Sequence, residues 1–234
     1  AVDARELRGQ GRWDEALALA SDPFERADIL NEQALFTGSA EAREAAGREL
    51  ARAEARLLQE RGRVLHATFL AEREEDPREL ELFCRSLELA REAGDERLES
   101  WSEFWIGIVH QVVRDDHERS LPHFGAAYDW ARRERDTLLQ SYAIRHLGFA
   151  WYEQGRREDG LRALEESVEL RRRDGFLPGV AAGLLTLAEI ADEEGRPEDS
   201  RRLLEDAKRA ADASGAAAFG ARIDAALARA AAGS

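Results

Sequence analysis

A long phrase of this chain occurs twice. Residues 146–170 read HLGFAWYEQGRREDGLRALEESVEL, and forty positions on, 186–210 read TLAEIADEEGRPEDSRRLLEDAKRA. In each copy an apolar segment runs into a glycine, Gly155 or Gly195, and a second apolar segment follows. Tyr142, Ile144, Leu147 and Trp151 lead in one copy, and Leu184, Leu187 and Ile190 in the other. Leu161, Leu164 and Val168 trail the first glycine, as Leu203, Leu204 and Ala207 trail the second. Each spacing lays one apolar stripe along a helix of about four turns. A glycine between two such helices suits a left-handed helix end. A fixed period of this length means stacked units, none of which can bury its apolar face alone.

Earlier copies fit with small shifts. SEFWIGIVHQV at 102–112 aligns with AIRHLGFAWYE at 143–153, so that Gly107 matches Gly148. Leu121, Phe124, Ala127 and Trp130 follow the spacing of the trailing helix, as do Leu80, Phe83, Ser86 and Leu89. Upstream, ADILNEQALFTG at 27–38 and QGRWDEALALA at 10–20 begin two more units. The copy at 61–96 is the weakest, because His66 and Glu74 stand where an apolar residue and a glycine belong.

The phrase at 146–170 resembles a tetratricopeptide repeat. Leu147-Gly148, the aromatic pair Trp151-Tyr152, Gly155, the small Gly160 and Ser167 carry the likeness. Small residues at 148, 160 and 167 let two antiparallel helices approach, while Leu147, Trp151 and Leu164 fill the space between them. The longer period, near 40, is similar to that of bacterial signal-transduction ATPases and maltose-regulator-type transcription activators. Their phosphate-binding loop and basic recognition helix are not found in this sequence.

The expected fold is therefore all-α. It is a right-handed solenoid of antiparallel helix pairs, about six hairpins plus a terminal helix, thirteen helices in all. One domain is expected over 1–234, with a partial repeat at 1–22 and full repeats at 23–60, 61–96, 97–136, 137–175 and 176–214. A terminal helix at 215–234 has small residues suited to docking on the last repeat. Ala1–Arg8 makes a thin cap: either the chain continues a longer one, or that end packs on another molecule, a homodimer included.

Composition narrows the function. With 34 basic and 48 acidic residues the formal net charge is −14, which repels nucleic-acid backbones and anionic lipid. No apolar run approaches the roughly 20 residues of a membrane span. The start lacks a signal-peptide layout and there is one cysteine, so a cytoplasmic location is expected. Cys84 is expected to be a buried, inert thiol.

In tetratricopeptide arrays the leading helices line the concave face, so the resemblance projects a groove. Its aromatic middle comprises Trp101, Phe104 and Ile108, then Tyr142, Arg145, Phe149 and Tyr152. Its acidic end comprises Glu189, Asp192 and Glu193. Rings with one guanidinium can hold a peptide or a flat small ligand. The expected function is a non-enzymatic, regulatory scaffold binding a protein or peptide segment, preferably basic. The alternative is a small-molecule-sensing domain of a transcription or signalling regulator. No nucleophile–base pair, cofactor motif or metal set is found. His110, His117 and His123 flank Asp115 and Asp116, which fall in a turn, so these groups point apart.

Overall fold

The computed structural model describes residues 3–232, with α-helices and no strand among them. The chain forms two compact units, Ala1–Asp116 and His117–Ser234. Twelve α-helices are found among the described residues.

The first unit holds α1 (Ala4–Gly9), α2 (Trp13–Leu19), α3 (Pro23–Thr37), α4 (Ala40–Glu72), α5 (Arg78–Ala93) and α6 (Glu96–Ile108). One π-helical stretch, Val109–Val113, extends α6. Aspartate or serine side chains start several of these helices. Asp22, Ser39 and Asp95 each accept from the backbone N–H three residues on, satisfying a donor that helix geometry leaves unpaired. Leu7, Ala16, Ala20 and Ile29 form the core under α1–α3, and Arg8 ties α1 to Asp28 and Glu32 of α3, each at 2.7 Å.

The helix α4 corrects the expected count of thirteen. It runs unbroken for 33 residues, about 50 Å at 1.5 Å per residue, so the expected repeat boundary at 60–61 falls inside it. Its amino-terminal half pairs with α3 through Ala42 and Ala46, and its middle with α5 through Ala55, Leu89 and Ala90. Three helices then converge on a buried polar chain. Gln59 donates to Ser102 Oγ at 3.1 Å, the Ser102 and Ser86 hydroxyls meet at 2.9 Å, and Ser86 donates to the Ala55 carbonyl at 2.8 Å.

The second unit holds α7 (His117–Glu134), α8 (Thr137–Glu153), α9 (Arg157–Arg173), α10 (Leu177–Glu193), α11 (Pro197–Ser214) and α12 (Ala217–Ala232). The expected small positions lie where α8 and α9 nearly touch. A Cβ on Gly160 would stand 2.8 Å from the Gly148 carbonyl oxygen, and one on Gly148 would stand 3.1 Å from Ala163 Cβ. Ser167 donates to the Ser141 carbonyl at 2.7 Å, fixing the same pair of helices. Gly155 and Gly195 end α8 and α10 at φ 82° and 70°, the left-handed region that a Cβ disfavours. The helix α10 is buried over most of its circumference, and Ile223 of α12 seals the last core.

Candidate functional site

In the first unit the projected groove needs correction. Phe104 and Ile108 are only 2% and 4% exposed, so both are core residues and cannot present their side chains to a ligand. Trp101 is half-buried and sets its edge against Phe104, ring centres 5.7 Å apart at 83°. Trp105 packs on the core side, as its register implies, stacked on Phe83 at 5.6 Å.

The second unit retains a coherent face. Tyr142, Arg145 and Phe149 follow the three- and four-residue spacing that shares one side of α8, and all are half-buried. The Arg145 guanidinium lies over the Phe149 ring at 4.6 Å, and its Nη2 donates to Thr186 Oγ1 of α10 at 3.2 Å. Its Nε is shut off from solvent and has no acceptor. Among the described residues no carboxylate lies within ion-pairing distance of Arg145. Burial first, and then the like charge of Arg171, pull its pKa down to about 9; it remains a cation at neutral pH.

Arg171 of α9 lies over the Tyr142 ring, 5.0 Å from its centre. Its Nη1 donates to the Gly179 carbonyl at 2.9 Å and its Nε to Ser141 Oγ at 3.4 Å. Burial holds its pKa below the usual arginine range. Phe176 leans on Tyr142 at 5.9 Å. This arrangement desolvates two cations around one phenol ring, with carbonyl, hydroxyl and ring partners in place of carboxylates. Buried charge without a counter-charge is costly, so an incoming acceptor or anion gains more here than at a hydrated arginine.

Tyr152 continues the face by one turn, but its ring packs on the core beneath Arg157, 5.6 Å away. The acidic residues Glu189, Asp192 and Glu193 are exposed at the end of α10. Glu189 is partly neutralised by Arg222 of α12 at 3.3 Å; among the described residues Asp192 and Glu193 have no ion-pair partner within 4 Å. Leu185, on the same helix, is core at 2% exposure and not part of the face.

Sequence reasoning missed Arg171, Phe176 and Thr186. Arg171 opens the run Arg171–Arg173 at a helix end, where basic side chains complement the helix dipole; nothing in the run marks one of them as buried.

Cys84 also departs from expectation, because it is exposed. Partial desolvation, then the Glu88 and Glu103 carboxylates, raise its pKa, which lowers the reactive thiolate fraction at neutral pH. Alkylation by iodoacetamide is expected to go to completion in the folded protein, but more slowly than for a free cysteine at pH 8. A rate above that of free cysteine would contradict the assignment.

The geometry defines an all-helical repeat protein. No protein-family model and no curated protein sequence matches the chain. Among solved structures it is similar to the crystal structure of BtubC (BKLC) from P. vanneervenii. The TM-score is 0.51 and the identity 15%, over 91% of this chain and 78% of that one. At that identity the likeness speaks for the helical-repeat fold alone. No helix among the described residues is long and apolar enough to cross a membrane, and no group of three or more His, Cys, Asp or Glu residues among them could hold a metal ion.

Proposed function

We propose that the chain is a non-enzymatic, tetratricopeptide-like scaffold that holds a protein or peptide segment on the α8–α10 face of its second unit. The observation carrying this reading is Arg145: a desolvated cation over Phe149, beside Tyr142, with no carboxylate partner and an idle Nε. A carbonyl or carboxylate of the bound segment would accept from the part of the guanidinium that the fold leaves exposed. Tyr142 and Phe149 supply apolar contact, and the exposed Asp192 and Glu193 favour basic side chains further along. The close approach at Gly148, Gly160 and Ser167 supports the tetratricopeptide assignment.

The test is selection of a displayed random-peptide library on the immobilised chain, followed by titration of the enriched peptides. Peptides with basic residues should be enriched. Tyr142→Ala and Phe149→Ala should each weaken binding about tenfold or more, as anchors do, with unchanged helical circular dichroism. Charge reversal at Asp192 and Glu193 should slow association and reduce its salt sensitivity. Peptides that bind the wild type and both alanine variants equally would remove this face from consideration. Native mass spectrometry showing a bound compound of small-molecule mass would shift the reading to the ligand-sensing alternative.

A further inference from the structure

The outer side of α4 carries apolar residues that the fold does not use. From its middle onward its inner side is committed to the core through Ala55, Gly62 and Phe69. Opposite them Leu50, Leu57 and Val64 are 43%, 51% and 66% exposed. They recur every seven residues, the period at which one face of a helix stays against a partner helix. The stripe adjoins an open apolar groove of about 640 Å³ between α4 and α5, floored by Leu58, Leu65 and Leu82.

Charge selects the occupant. Several ionic side chains of α4 near the stripe are engaged within the chain: Arg52 with Glu49 and Asp95, and Arg63 with Glu60. Arg56, on the other side of the stripe, is exposed, and so are Glu54 and Arg61; among the described residues Glu54 and Arg61 have no ion-pair partner within 4 Å. They lie on the groove side of the stripe, equally spaced about the Leu57–Leu58 peptide. A second α4 laid antiparallel about that midpoint sets Glu54 level with Arg61 of the other copy, twice by symmetry. A parallel pair would set like charge on like charge, and antiparallel self-pairing is the isologous contact a twofold dimer requires. The same register brings Leu57 beside Leu58 and Leu50 beside Leu65.

We infer that the outer face of α4 is a self-association surface, through which two copies of this chain pair antiparallel about Leu57. The rim of the groove supports a partner of mixed charge, since Arg61, Arg78 and Arg85 stand there with Glu81 and Glu54 lies about two turns from Arg61. Arg78 and Arg85 already pair with Asp76 and Glu88. Glu54 and Arg61 are therefore the charges that a second copy satisfies.

Sedimentation equilibrium of the whole chain across the micromolar range tests this. A dimer is expected. Leu57→Glu should convert it to monomer with unchanged circular dichroism. Glu54→Arg should weaken it about tenfold through like-charge opposition, and the double variant Glu54→Arg with Arg61→Glu should restore it. The Glu54 site is exposed, so the charge series stands even if Leu57→Glu fails to fold. A chain monomeric throughout that range overturns the inference and leaves the stripe to another polypeptide. A dimer indifferent to Leu57→Glu and Glu54→Arg overturns it too, as does one that the double reversal fails to restore.

Discussion

Replacing His66 by leucine is expected to cost the first unit about 3 kcal/mol, the upper end of what stranding a buried polar group costs. His66 Nδ1 and Glu79 Oε1 meet at 2.9 Å, and Glu79 is fully buried. The second carboxyl oxygen, Oε2, already lacks a partner. Around the pair lie Phe69 and Trp105, with ring centres 6.3 Å and 5.7 Å from the imidazole, so the setting is largely apolar. Leucine at 66 would leave a carboxyl group in an apolar setting with no hydrogen bond at all. Glu79→Leu should cost less, about 1–3 kcal/mol, because it strands one imidazole nitrogen rather than a carboxyl group. The double leucine variant should recover most of the loss, since a buried pair exchanged for apolar side chains is often neutral. Urea midpoints of the three variants decide it: a double variant that loses the sum of the two singles would show that the two side chains do not couple, and would overturn this account of the pair.

That pair also explains where the sequence was hardest to read. The copy at 61–96 has His66 where its siblings have an apolar residue, and the structure fills the position with a histidine–carboxylate contact. It has no glycine after the leading helix because Arg73 takes the left-handed conformation, at φ 61°. The run before it, rich in Ala, Glu and Arg, contains no cap or stop, so α4 continues through the expected boundary. Gly62 looks in the sequence like a break, yet it faces Phe83, whose ring would stand 2.6 Å from a Cβ placed there. Helices α8–α11 were legible for the opposite reason, since their apolar period and terminal glycines agree.

The site was legible in part. Periodicity places Tyr142, Arg145 and Phe149 on one side of α8, because that needs only the helix pitch. It cannot tell how far toward the core each inward residue turns, and this separates half-buried Trp101 from buried Phe104 and Ile108. Arg171 and Thr186 reach the face from other helices, and their role depends on how those helices pack.

Alanine at Gly160 is the second large effect expected, a loss of about 2 kcal/mol from the second unit. The added methyl would stand 2.8 Å from the Gly148 carbonyl oxygen and from Tyr152 Cβ, and 2.9 Å from Tyr152 N. Two of these three atoms are backbone, so no rotamer change clears the space and α8 must move away from α9. Overpacking of this kind costs about 1–3 kcal/mol, against about 1 kcal/mol gained from alanine's better helix propensity. Moving α8 also loosens the Ser167 to Ser141 hydrogen bond, which puts the gross cost at the upper end of that range and the net loss at about 2 kcal/mol. The same substitution at Gly47, within α4, meets nothing within 4 Å and should stabilise by about 0.5–1 kcal/mol from propensity and unfolded-state entropy alone. The opposite signs are the point, because both glycines are helical and differ only in what faces them. Thermal denaturation of the two variants tests the contact between α8 and α9. If Gly160→Ala proved as favourable as Gly47→Ala, the two helices would not approach through their backbones, and the close α8–α9 packing at Gly148 and Gly160 would have to be abandoned, along with the proposal that rests on it.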